Sequence, residues 1–171
     1  MLALLASVLA ASASAPAPAL QTSMPWWERI TVTVDDKGAQ QSCLYETSAS
    51  PNAAAACDKE VAGSIKADGA GVTGLYKKVT FERRFSPGGR LDAGKLEPGD
   101  TLLGRQVMFL TFDAQGAISS CKVVATGGDT PPAYDCDEVR KERFSAEAGA
   151  SPAARQAFLT VLAYGHTEHI A

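Results

Sequence analysis

The sequence predicts an α+β protein of two tandem β-β-α-β units, each an antiparallel sheet with a helix packed on one face and one disulfide. Three observations carry this. First, advancing the numbering by 78 carries Asp35 onto Asp113, Gly38 onto Gly116, Ala39 onto Ala117, Ser42 onto Ser120 and Cys43 onto Cys121. One extra residue then brings Cys57 onto Cys136, each followed by an aspartate. Second, each copy passes from period-two alternation to a stretch with helical spacing. Third, each copy places one cysteine on its second strand and one on its helix.

The first unit, residues 24–91, opens with adjacent Trp26 and Trp27. Neighbours on a strand point to opposite faces, so one ring covers the core and the other is exposed or packs on the second unit. Ligand stacking is the alternative. Ile30, Val32 and Val34 alternate with Thr31 and Thr33, which predicts a half-buried strand over residues 29–34. Asp35-Asp36-Lys37-Gly38 makes the turn and residues 39–45 the returning strand. Ser50-Pro51 is a helix start, and Cys57, Val61 and Ile65 share one stripe of a helix over residues 53–65. A third strand over residues 76–85 turns Val79, Phe81 and Phe85 inward and Lys78, Thr80, Glu82 and Arg84 outward.

The glycine- and proline-rich stretch 86–100 separates the units, and the second covers residues 92–171. Residues 107–112 form a continuous apolar run, as in a strand covered on both faces. Asp113-Ala114-Gln115-Gly116 turns, and residues 117–124 return with Cys121 and Val123 on one face. Gly127-Gly128 lacks the lysine and spacing of a phosphate loop and reads as a turn. Thr130 caps and Pro131-Pro132 opens a helix over residues 133–144, with Cys136, Val139 and Arg143 on one side. Ser151-Pro152 resembles another helix start, but by analogy with the first unit residues 157–164 are expected as a strand.

The chain has 171 residues and a net charge of −3. That charge is too small for a polyionic partner, and no basic stripe with interleaved aromatics points to nucleic acid. Residues 1–19 read as a signal peptide and Pro/Ala linker. The apolar core over residues 2–11 is shorter than the ~20 residues of a membrane span. Small residues offer cleavage at Ala11-Ser12-Ala13, after Ala15, or at Ala17-Pro18-Ala19. Membrane association follows only if the leader is uncleaved. The expected location is the periplasm, and in an exported chain four cysteines read as two disulfides. The duplication selects Cys43–Cys57 and Cys121–Cys136 among three connectivities. Free thiols or a metal site are the alternatives, though no C-x-x-C pair of the zinc type is present.

The order strand–turn–strand–helix–strand, with Gly116, Val123, Thr126-Gly127, Asp135 and Arg143-Phe144, resembles the TonB carboxy-terminal domain. Cys121 and Cys136 make it look most like the cysteine-containing variant of that family, in two tandem copies. Leu96-Glu97-Pro98 stands where the family usually has Tyr-Pro, and Ser145-Ala146 follow Arg143-Phe144 where it usually has proline. The resemblance implies binding rather than catalysis, by adding a peptide strand to a sheet edge. The expected partner is an envelope protein or receptor peptide, with outer-membrane transport as the setting. The expected edge is the third strand of the first unit: Lys78, Val79, Thr80, Phe81, Glu82, Arg83 and Arg84. An envelope structural or inhibitory protein using the same fold is the alternative.

The residues suggest no enzyme, cofactor or metal. His166 and His169 flank Glu168 with H-x-x-H spacing but stand near the terminus without a third ligand, and read as a frayed tail. No G-x-S-x-G occurs, and oxidised cysteines leave no Cys–His pair. Asp35, Asp36, Asp58, Asp137 and Glu138 suit turns and first helical turns.

Overall fold

Alternating apolar residues build strands in this chain more widely than expected. In the computed structural model, residues 19–35, 39–49, 76–145 and 155–166 are described. The strands are β1 (Leu20–Gln21), β2 (Trp26–Val34), β3 (Gln40–Thr47), β4 (Lys78–Pro87), β5 (Asp100–Phe112), β6 (Ile118–Gly128), β7 (Phe144–Ser145) and β8 (Gln156–His166). They hold 60% of the described residues. The one α-helix among those residues, α1 (Cys136–Val139), is a single turn. The α+β expectation of two β-β-α-β units is therefore corrected: the described residues are mostly β. One antiparallel sheet of six strands runs β3-β2-β4-β8-β5-β6 through both halves. The leader and the helix expected over residues 53–65 lie outside the described residues.

The repeat is visible in the register. Val32 faces Cys43 and Thr33 faces Ser42, while Leu110 faces Cys121 and Thr111 faces Ser120. Val32 also faces Val79, and Leu110 faces Ala157. Every residue of the second set is its counterpart in the first advanced by 78. The irregularity between Thr33 and Val34 recurs between Thr111 and Phe112. Even the turns agree: Asp35 accepts from the Ala39 amide at 2.8 Å, and Asp113 from the Ala117 amide at 2.9 Å. Gly116 takes φ +83°, which a side chain would resist.

The halves join where β4 pairs with β8, and there Arg83 lies opposite Val161, its own counterpart. A pseudo-twofold axis thus passes between these two residues. The expected boundary at 91/92 falls in the irregular stretch between β4 and β5, and the sheet continues past it. The strand expected over residues 157–164 is β8.

One face of the sheet carries the core. Trp26, Phe81, Phe85, Met108, Leu110 and Leu159 form it with Val139 of α1 and Phe144 of β7. Trp26 is the tryptophan that enters the core, while Trp27 is half-buried with the Arg29 guanidinium 5.3 Å from its ring. β1 pairs in parallel with β7, so the segment before β2 ties down the second half.

The helix expected over residues 133–144 stops early for a geometric reason. Val139 and Phe144 are both buried, yet positions five apart on a helix diverge by ~140°. The chain breaks after Val139 and lays Phe144 against Leu20 instead. Asp135, not Thr130, caps α1, accepting from the Asp137 amide at 2.8 Å. So short a helix lies far below the ~12 residues that stand alone and is held by its attachments, chief among them the disulfide Cys121–Cys136. Cys43 is also disulfide-bonded, and Cys57 lies outside the described residues. Replacing both Cys121 and Cys136 by Ala is expected to remove about 3 kcal/mol of unfolding free energy. An unchanged urea midpoint would contradict the staple.

Candidate binding edge and the polar face of the sheet

The segment expected to be an edge is in the middle. Lys78, Val79, Thr80, Phe81, Glu82, Arg83 and Arg84 all lie on β4, which pairs with β2 on one side and β8 on the other. Its main-chain ladder is occupied on both sides, so no peptide strand can add there. The outward reading of Thr80 and Glu82 is corrected too: both are buried, Glu82 being only 1% exposed. Pairing with β8 brings Tyr164 against Glu82 and His166 against Thr80, side chains that the first half alone would lack.

Glu82 is buried with both side-chain oxygens engaged. Arg29 Nε donates to its Oε2 at 2.9 Å, Tyr164 Oη donates to the same oxygen at 2.9 Å, and Arg84 Nε donates to Oε1. Arg84 also holds Asp92 of the connection between β4 and β5 at 2.9 Å. That connection lies on this face: a Cβ at Gly94 would strike Leu162 Cδ1 at 2.3 Å. Burial opposes the charge on Arg29 and Arg84, but bonds to Glu82, and to Asp92 for Arg84, raise both above the ordinary guanidinium value.

A second polar chain crosses the end of the same face. Asp100 Oδ1 lies 2.7 Å from His166 Nδ1, and His166 Nε2 lies 2.7 Å from Thr80 Oγ1, which is 2.8 Å from Thr31 Oγ1. His166 is therefore not a frayed tail but the last residue of β8; Glu168 and His169 lie outside the described residues. The line resembles an acid–imidazole–hydroxyl relay. Thr80, however, has no exposed surface, so no substrate reaches the hydroxyl. The chain acts as a clasp joining β2, β4, β8 and β5.

The core face has its own buried charge at the pseudo-twofold axis. Arg83 donates to Glu28, Glu142 and Tyr134, and the Tyr134 hydroxyl donates to Glu142. Burial lowers the Arg83 affinity for its proton, and Glu28 and Glu142 more than reverse this. Tyr134 is pushed well above the ordinary phenol value by burial, Arg83 opposing and Glu142 adding. Tyr164 is raised by burial and by its bond to Glu82. A folded-state pKa above the unfolded value gives stability that is complete below the unfolded pKa, ~10 for tyrosine, and is lost as pH rises through the folded values. Alkaline titration should therefore show Tyr134 and Tyr164 ionising only as the protein unfolds. Ionisation of all four tyrosines near pH ~10 with the fold intact would contradict this.

The ends of the sheet are β3 and β6, each with one neighbour among the described residues. β6 is the longer, eleven residues against eight. It exposes Val123 and Val124 and is anchored through Cys121 to α1. The third strand of a unit is an edge only where that unit forms a sheet by itself, and here β4 pairs on with β8. The 78-residue repeat was the signal that could have placed β4 and β8 together. Among the described residues no three His, Cys, Asp or Glu side chains are grouped to hold a metal ion, and no helix is long and apolar enough to cross a membrane. No family model matches the chain, and none of the curated proteins or solved structures compared with it does so either.

Proposed function

We propose that the chain is an exported, non-enzymatic periplasmic binding protein that takes an extended segment of an envelope or outer-membrane transport protein as a seventh strand along β6. The observation that carries this is the position of β6 at the end of the sheet, with its outer main-chain groups unpaired among the described residues. Each main-chain hydrogen bond contributes about 0.5–1.5 kcal/mol net, so an eleven-residue edge offers more than the eight of β3. The disulfide to α1 lowers the cost of ordering by holding the edge in place beforehand. The leader-like residues 1–19 support export, and the resemblance to the TonB carboxy-terminal domain supports strand addition as the mode.

The test is a selection of displayed linear peptides on the purified protein, followed by amide exchange of the complex. The expected result is slowed exchange at alternate amides of β6. Slowed exchange confined to β3 or to the polar face would contradict the reading.

A further inference from the structure

Arg105 has no role in either buried network. It lies on β5 opposite Gly127 of β6 and Leu162 of β8, on the polar face. Its Nε is buried and has no hydrogen-bond partner. Buried donors are rarely left unmade, because each costs about 1–3 kcal/mol. Its direction is recorded by the glycine beside it: a Cβ on Gly127 would meet Nη2 at 3.5 Å, Nε at 3.6 Å and Cζ at 3.9 Å. The guanidinium therefore lies over Gly127 of β6, with its Nε and Nη2 edge nearest the place a side chain there would take. Lys122, exposed, shares this face through its pairing with Phe109. Among the described residues neither cation is held in an ion pair, and Asp129, two residues past Gly127, does not claim Arg105.

We propose that the strand added along β6 is acidic, carrying a carboxylate that Arg105 grips over Gly127 and a second one facing Lys122. This rests on strand addition at β6 and names the chemistry of the partner. Lys122 and Gly127 face Phe109 and Arg105, four residues apart on β5, or ~14 Å at strand rise. Same-face residues in an extended peptide recur every second position, so two aspartates four apart match both cations. Arg105 contributes more, because a planar fork makes paired hydrogen bonds with a carboxylate, whereas a solvated lysine contributes little.

The experiment uses two nine-residue peptides of alternating Thr and Val, one with Asp and one with Asn at two same-face positions four apart. Each is titrated onto the full chain, with β6 amide exchange followed alongside. The expected result is about tenfold tighter binding of the Asp peptide, with both peptides shielding β6. Arg105→Gln is expected to reduce that preference to about twofold or less, the part exposed Lys122 supplies, by weakening the Asp peptide more than the Asn peptide. Gly127→Val, which fills the place of the guanidinium, is expected to do the same and serves if Arg105→Gln folds poorly. Equal binding of the two peptides, or a preference that survives both variants, overturns the acidic partner while strand addition stands. Failure of both peptides to shield β6 overturns strand addition and the acidic partner with it.

Discussion

Phe85→Ala is expected to lower the unfolding free energy by about 3–5 kcal/mol. Phe85 is 1% exposed and stands where three elements meet. Its ring stacks on Trp26 with centroids 5.3 Å apart and planes 3° from parallel, and it packs against Phe112 at 6.2 Å and Phe144 at 6.1 Å. Removing it opens a cavity walled by three rings on β2, β5 and β7, none of which can close in without leaving its own partners. Trp26 is further fixed by donating Nε1–H to the Gln21 carbonyl at 2.9 Å, which resists relaxation. Urea unfolding measures the loss. A change below about 1 kcal/mol would mean that the site collapses freely and is not the shared core of both halves.

Glu82→Ala is expected to cost about 3 kcal/mol, the lower end for breaking a buried ion pair. Arg29 and Arg84 would each lose their carboxylate oxygen, and Tyr164 its acceptor. The two arginine side chains are 30% and 20% exposed, so water recovers part of the loss, which places the value below the top of that range. Glu82→Gln keeps the shape and one acceptor oxygen and should cost less than Ala. A loss near zero for Gln beside the full loss for Ala would show that packing, not the charge, holds this face together.

The local chemistry of the fold was legible. Ile30 and Val32 announce β2, the Asp35 and Asp113 turns announce the hairpins, and the cysteine on β6 falls opposite Leu110 as the repeat requires. What could not be read was how two such units meet. A strand such as Lys78–Pro87, with polar residues at alternate positions, has the pattern of a half-wet edge. The polar residues turn out to pair with one another: Thr80 with Thr31 and His166, and Glu82 with Arg29, Arg84 and Tyr164. Buried polar groups that complete each other look from the sequence like exposed ones. The helix was over-read because 133–144 is rich in helix formers, while the demand that Val139 and Phe144 both reach the core is tertiary. Arg105 carried no periodic signal at all, and its unpartnered Nε emerges only from the packing.

The account rests on β4 and β8 as the interior of one sheet and on β6 as its open end. Residue-resolved amide exchange of the full chain, alone and with the Asp peptide, tests this most directly. The expected result is slow exchange at every main-chain amide of β4 from Val79 to Ser86, and an alternating fast–slow pattern along β6 that becomes uniformly slow when peptide is added. Alternating exchange along β4, with β6 protected throughout and unmoved by peptide, would contradict it.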